Sequence, residues 1–323
     1  MPDYAAGGIT AAPDGSVYAN GYSGFVRYKA GAFTTYAYVA PPGSSIVGAA
    51  DGVGTVALGP YSVIWSALYR GACCPPAGGA VGTYNPGLGS RYQTTAGTPN
   101  GDAFVTVAAD PLNRTWVTHQ TGKPCSAEHS DVYIINSSLN VVTHFAPLPV
   151  ARLYAIAAGA DGMMYVASAL ECHSGVSEIA RINPSTLAVL NVVTLPAGSN
   201  VKQMVAGPDG NLWFTNYDMN TIGRLTPSGT VTQYTLPTPG SQPNGITVGG
   251  DGALWFTEAI SPNGELKIGR ITTGGLISEY FVVYTGPGFA AGAGITGGPP
   301  GAPFANTLYV VALDYPYLYK LTF

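Results

Sequence analysis

Chemistry in this chain has few residues to draw on. Its 323 residues include 13 Lys and Arg, 17 Asp and Glu, 4 His and 4 Cys. His119, Ser168, Asn216 and Glu258 stand out because each directly follows an apolar, aromatic-bearing run: TWVTH, MYVAS, LWFTN and LWFTE. Tyr154, Lys202 and Asn244 form a second series, each two residues before an aliphatic side chain (Ile156, Met204, Ile246). His119 is the one imidazole in either series, and its ordinary pKa suits a general base. Glu258 is a candidate acid or a ligand for a hard divalent cation such as magnesium. Paired, they would serve a metal-dependent lyase or hydrolase. Tyr154, Lys202, Asn216, Asn244 and Ser168 are the candidate ligand-binding groups. If they converge in a concave site, they form the default binding constellation.

The four thiols are Cys73, Cys74, Cys125 and Cys172. They fall in three segments, Ser66–Ala80, Gln120–Asp131 and Ala169–Ser177, which also carry Glu128, His129, Glu171 and His173. Disulfides, free thiols and a metal site are all open readings. The disulfide reading pairs Cys125 with Cys172, and leaves Cys73 and Cys74 to pair with each other or stay reduced. It implies an oxidising compartment and hence an exported, extracytoplasmic protein. The chain opens Met-Pro-Asp, without a visible signal peptide.

The elements that must position these groups are strands. Only 9% of residues are charged, too few to clothe helix surfaces, while 44 Gly and 26 Pro supply many turns. Self-comparison finds a repeat. AGPDGNLWFTN (206–216) matches VGGDGALWFTE (248–258), and IGRLTPSG (222–229) matches IGRITTGG (268–275). Weaker copies surround Asp14, Asp51, Asp110 and Asp161, and a last unit begins near Ile295. Each unit reads as four short strands with an Asp-Gly hairpin between the first two. The expectation is one all-β domain over 1–323, a seven-bladed β-propeller. Its blades cover about 8–40, 45–96, 102–148, 153–196, 202–238, 244–284 and 293–323. In that fold both series of polar residues ring the channel mouth, with the Cys-bearing loops on the same face. The last blade has only three strands, because too few residues precede Ile9 to supply a fourth. Its Tyr317–Phe323 edge is then open to strand addition and self-association.

The strings WFTE, IGRIT and YTLPTPGSQPNGIT resemble the virginiamycin B lyase (streptogramin lyase) family over about Val201–Tyr284. The resemblance implies a seven-bladed propeller. It also implies magnesium-assisted, non-hydrolytic opening of a cyclic depsipeptide by elimination at its ester, with His as base. Glu258 matches a family acidic position. The family's mouth histidines lie in a Pro-His-x-Ile setting; here the string is Pro243-Asn244-Gly245-Ile246, and Ala293 precedes Ile295 in the next unit.

With a net charge of −4 and no basic stripe, nucleic acid and anionic membrane surfaces are not expected partners. No apolar run is long enough to span a bilayer. The leading expectation is an exported propeller that binds a small molecule, glycan or protein partner on the loop face. The alternatives are the metal-dependent lyase or hydrolase, and a subunit of a surface assembly joined through the open edge.

Overall fold

The computed structural model describes residues 5–21, 24–37, 52–58, 64–69, 80–85, 89–94, 103–120, 130–136, 141–148, 152–169, 177–258, 266–282, 292–297, 306–312 and 318–323. They form 27 strands in chain order. The first unit holds β1 (Ala5–Ala11), β2 (Val17–Gly21), β3 (Gly24–Lys29) and β4 (Ala32–Ala37). The second holds β5 (Gly52–Leu58), β6 (Ile64–Tyr69), β7 (Ala80–Asn85) and β8 (Gly89–Thr94). Next come β9 (Ala103–Ala109), β10 (Thr115–Gln120), β11 (Ser130–Ile135) and β12 (Val141–Phe145). The fourth unit is β13 (Arg152–Ala158), β14 (Met164–Ala169), β15 (Glu178–Ile182) and β16 (Val189–Thr194). The fifth is β17 (Val201–Ala206), β18 (Leu212–Asn216), β19 (Thr221–Leu225) and β20 (Val231–Thr235). The sixth is β21 (Pro243–Val248), β22 (Leu254–Glu258), β23 (Leu266–Ile271) and β24 (Ile277–Val282). The last is β25 (Gly292–Gly297), β26 (Thr307–Ala312) and β27 (Leu318–Thr322).

The strands form a propeller of six blades, not the seven expected. Tyr69 at the end of β6 pairs with Ala103 at the start of β9, so β5–β12 make one eight-stranded sheet. Sequence repetition counts units, but not the hydrogen bonds that fuse two of them. The second unit also departs from the expected turn. Asp51-Gly52 does not separate its first two strands, because β5 itself begins at Gly52. The segments Ser66–Ala80, Gln120–Asp131 and Ala169–Ser177 contribute their ends to strands, and all four Cys lie outside the described residues.

The fourth to sixth units grade from a dry middle to a wetter outer edge. β18 and β22 are buried at every position, covered by neighbouring sheets on both faces, whereas β16 is mostly exposed. The Gly of each Ile-Gly-Arg string is a packing requirement. A Cβ on Gly223 would lie 2.0 Å from the Phe214 ring, and one on Gly269 would lie 1.9 Å from Phe256. The strand-B Phe therefore covers the bare backbone of strand C, which puts Trp213 and Trp255 on the opposite face.

The hairpins are three-residue turns with a bulge, not two-residue turns. Gly210 N–H donates to the Gly207 carbonyl at 3.1 Å, and Gly210 holds the left-handed φ of +79°. The turn Asp then clamps strand B. Trp213 Nε1–H donates to Asp209, Trp255 Nε1–H to Asp251, and the Tyr165 hydroxyl to Asp161. Strand-C arginines complete the clamp at Asp161 and Asp251, at 2.8 and 2.7 Å. In the third unit Asn113 takes the left-handed position at φ +60°, and Asp110 opens the turn three residues earlier, yet still receives Trp116 Nε1–H at 2.8 Å.

The ring closes by packing. Ile9, Val17 and Ala19 of the first blade share a core with Tyr309 and Val311 of the last. The last blade has three strands, as expected, and β1 pairs with β2. Burying apolar side chains of this size contributes ~1.5–3 kcal/mol each toward that closure.

Candidate functional site

The first strands of the units surround a central cavity of about 390 Å³. Every one of them carries a register shift near its start: between Ala5 and Ile9, Val53 and Val56, Leu153 and Ala155, Val201 and Met204, Pro243 and Ile246, and Gly292 and Gly294, with a matching shift opposite β10 in the third unit. A bulge re-aims the side chains within it, and is often found beside functional sites. The expected Tyr154, Lys202 and Asn244 all fall inside these bulges.

In four units the bulge is fixed from strand B by one recurring bond, twelve residues apart. Thr118 Oγ1 accepts from Thr106 N–H at 3.0 Å, Thr215 Oγ1 from Gln203 N–H at 3.1 Å, and Thr257 Oγ1 from Gly245 N–H at 2.9 Å. Asn20 does the same for Gly8 N–H at 3.0 Å.

Tyr154 and Lys202 come together. The Lys202 ammonium lies 4.5 Å from the centre of the Tyr154 ring and 5.1 Å from that of Tyr217. All three side chains are half-buried, and Lys202 and its neighbour Gln203 reach the cavity wall. Such a cation between ring faces is held by their quadrupoles. Tyr217 was not anticipated from sequence. It is set by a chain of bonds: Asn216 Oδ1 accepts from Asn200 N–H at 2.8 Å, and the Asn200 carbonyl accepts from Tyr217 N–H at 2.9 Å. Burial, then the charge of Asp218, pushes the Tyr217 phenol up. Across the blade boundary, Gln203 Oε1 accepts from Ile246 N–H at 3.0 Å, and Thr215 Oγ1 donates to the Asn244 carbonyl at 2.7 Å. These bonds tie the Lys202 and Asn244 bulges into one rim.

His119, Ser168, Asn216 and Glu258 occupy equivalent strand-B positions, but they are buried to 3% exposure or less and face neighbouring strands rather than the cavity. Ser168 Oγ accepts from Glu178 N–H at 2.8 Å. Asn216 Nδ2–H donates to Ser199 Oγ at 3.0 Å. His119 packs edge-on against Tyr133, which stacks on His144. Burial, with His144 nearby, lowers the His119 pKa to about 4 against the pull of Asp131. His119 belongs to the sheet of the third unit and Glu258 to that of the sixth, and each packs against its own sheet's strands, His119 on Tyr133 and Glu258 on Lys267.

Glu258 has its own partner, also missed from sequence. Lys267, fully buried, lies 3.2 Å from Glu258 Oε2 and 2.5 Å from Glu279 Oε2. Thr238 Oγ1 bonds both Lys267 Nζ and Glu279. Burial pushes the Glu258 carboxyl up, against Ser241 and Lys267. Glu279 sits below its usual value: burial opposes this, but the bonds from Lys267 and Thr238 prevail. A magnesium ion does not fit at Glu258, because the Lys267 ammonium already stands where a cation would. Among the described residues no three His, Cys, Asp or Glu are grouped to hold a metal.

The model of the virginiamycin B lyase family matches residues 140–307, just over half of the chain. The chain belongs to the virginiamycin B lyase family. A virginiamycin B lyase of Nocardia farcinica is 30% identical over 93 residues, covering 26% of this chain and 32% of that protein. One from Bordetella parapertussis is 52% identical over 42 residues, 13% of this chain and 14% of that protein. The matched stretches thus span a third or less of these relatives. The virginiamycin B lyase of Staphylococcus aureus shares the fold over 98% of this chain and 94% of its own, with a TM-score of 0.75 at 21% identity. A catalytically inactive His-to-Ala form of that enzyme, with Quinupristin, aligns with a TM-score of 0.74 at 21% identity over 99% of this chain and 96% of its own.

Proposed function

We propose that this family member binds a small ligand at the channel rim formed by Tyr154, Lys202, Tyr217 and Asn244, without the elimination chemistry of its relatives. The observation that supports binding is the Lys202 ammonium, set between two tyrosine rings at the mouth of a cavity of ligand size. Two further observations favour binding over elimination. Asn244 stands where the family pattern has His, and an amide takes up no proton near neutral pH. His119 is buried at 2% exposure and packs edge-on against Tyr133. Calorimetric titration with Quinupristin, the compound named with the structural relative, tests this reading. Saturable heat with the compound recovered intact by mass spectrometry supports it. No heat overturns binding, and a ring-opened product overturns the non-catalytic part.

Export, with a disulfide between Cys125 and Cys172, is part of the proposal. Counting thiols in the denatured, unreduced protein tests it: fewer than four supports a disulfide, and four removes it.

Self-association has separate support. Among the described residues β27 pairs with β26 alone. Phe323, 40% exposed, packs its ring 4.7 Å from Trp255, which also stacks on Tyr280, 47% exposed. A monomer at all concentrations in sedimentation would remove this reading.

A further inference from the structure

We propose that the last blade takes its fourth strand from another protein, as an extended segment with apolar residues on one face and an acidic residue on the other. This goes beyond the rim reading, and it competes with self-association for the same edge. Among the described residues the last sheet ends at β27, while the sheets it packs against end on fourth strands, β24 and β4. Exposed aromatic rings border the space outside β27 on both sides. Toward the sixth unit, Tyr280 and Phe323 both pack on Trp255. Toward the first unit, Phe33 packs on Tyr28, which meets Tyr309 of the last blade.

The two faces of β27 differ. Tyr319 and Leu321 turn to the core shared with the sixth unit, and Leu318 to the core shared with the first. By alternation Lys320 and Thr322, both exposed, share the face of Leu318. Lys320 lies opposite Tyr309 in the sheet and makes no ion pair among the described residues, and neither β4 nor β27 carries an acidic residue. Antiparallel pairing of two β27 strands over their whole length, Leu318 to Thr322, sets Lys320 against the partner copy's Lys320. Like charges directly opposite are destabilising, and an edge lysine is a common guard against such pairing. An acidic segment turns the guard into an attraction. Its residue opposite Lys320 supplies the carboxylate, and the residues on either side of that one turn toward Tyr280 and are apolar. Backbone bonds to the edge supply the rest.

The test is hydrogen exchange of the 318–323 amides in the whole chain, followed against the concentration of two capped peptides. One is acetyl-Val-Thr-Val-Glu-Val-Thr-Val-amide, and the other has Lys in place of Glu. The acidic peptide should slow exchange at 318–323, and the basic one should need about fivefold more peptide or beyond for the same protection. Lys320→Glu, at an exposed position, should reverse that order with the melting profile unchanged, and Lys320→Arg should keep it. Equal action of the two peptides, an order that Lys320→Glu leaves in place, or protection confined to other strands overturns the inference. Protection of 318–323 without peptide that fades on dilution assigns the edge to a second copy and also overturns it.

Discussion

The fifth and sixth units have the same backbone, the same Trp–Phe strand and the same Gly beneath the Phe, yet they solve one problem in opposite ways. At three equivalent positions the fifth unit has Asn216, Thr221 and Gln233, all neutral, with Thr221 donating to Gln233 and Asn216 to Ser199. The sixth has Glu258, Lys267 and Glu279, a buried cation between two carboxylates. Asn216 holds the connection that enters the fifth unit's first strand through Ser199, whereas in the sixth unit that connection is held by Ser241 Oγ donating to the Thr238 carbonyl. The rim shows the reverse distribution: Lys202 in the fifth unit, and the neutral Asn244 in the sixth. The fold thus tolerates charge inside or at the mouth, and the mouth charge is the one the proposed binding uses.

The largest expected effect is from Lys267→Met. It strands two buried carboxylates, and breaking a buried pair in this way costs about 3–5 kcal/mol. Chemical denaturation should show that loss, whereas Lys202→Met at the rim should lose no more than the ~0.5–1 kcal/mol of a cation–ring contact. Grafting the neutral set, Glu258→Asn with Lys267→Thr and Glu279→Gln, should restore stability to within about 1 kcal/mol of the parent or above it, since whole buried ion networks are often replaceable at no net loss. A grafted protein as unstable as Lys267→Met would break the equivalence of the two units. In the fifth unit Thr221→Val should cost only about 1 kcal/mol, the net worth of one neutral bond.

The smallest effects are in pH dependence, and they have opposite signs. The Glu279 carboxyl is depressed in the fold, so its contribution is present above the ordinary value of 4.5 and is lost as pH falls below it. Glu279→Gln should therefore close its stability gap to the parent on acidification. The Glu258 carboxyl is raised, so its contribution is present below 4.5 and is lost as pH rises through the raised value. Glu258→Gln should gain on the parent as pH increases. Melting curves across the acid range check both directions.

Most of this architecture was legible in the residues. Repeated Asp-Gly turns, Ile-Gly-Arg strings and a short last unit identified a propeller with a three-stranded final blade, because each encodes a local backbone need. The fusion of the second and third units was not legible, since one pair, Tyr69 with Ala103, carries it. The rim was half legible. Counting back from the first aliphatic found Tyr154, Lys202 and Asn244, because that offset is the bulge. Counting forward from the aromatic run reached Asn216 and Glu258, which face neighbouring strands. Lys267 did leave a signal. Aligned with TIGRL and VTQYT, the sixth unit reads LKIGRI and ISEYF, so a cation and an anion appear together where Thr and Gln stood. Tyr217 left none, because its place depends on the Asn200 turn.

The central claim is that Lys202 meets ligand while Lys267 does not. The chain has only five lysines, so a spectrum with carbon-13 at lysine Cε would report both in one experiment. Titration with Quinupristin should move the ring-shifted Lys202 signal in a saturable way, with Lys267 unchanged. A saturating ligand that leaves Lys202 in place, or moves Lys267 instead, would contradict the account.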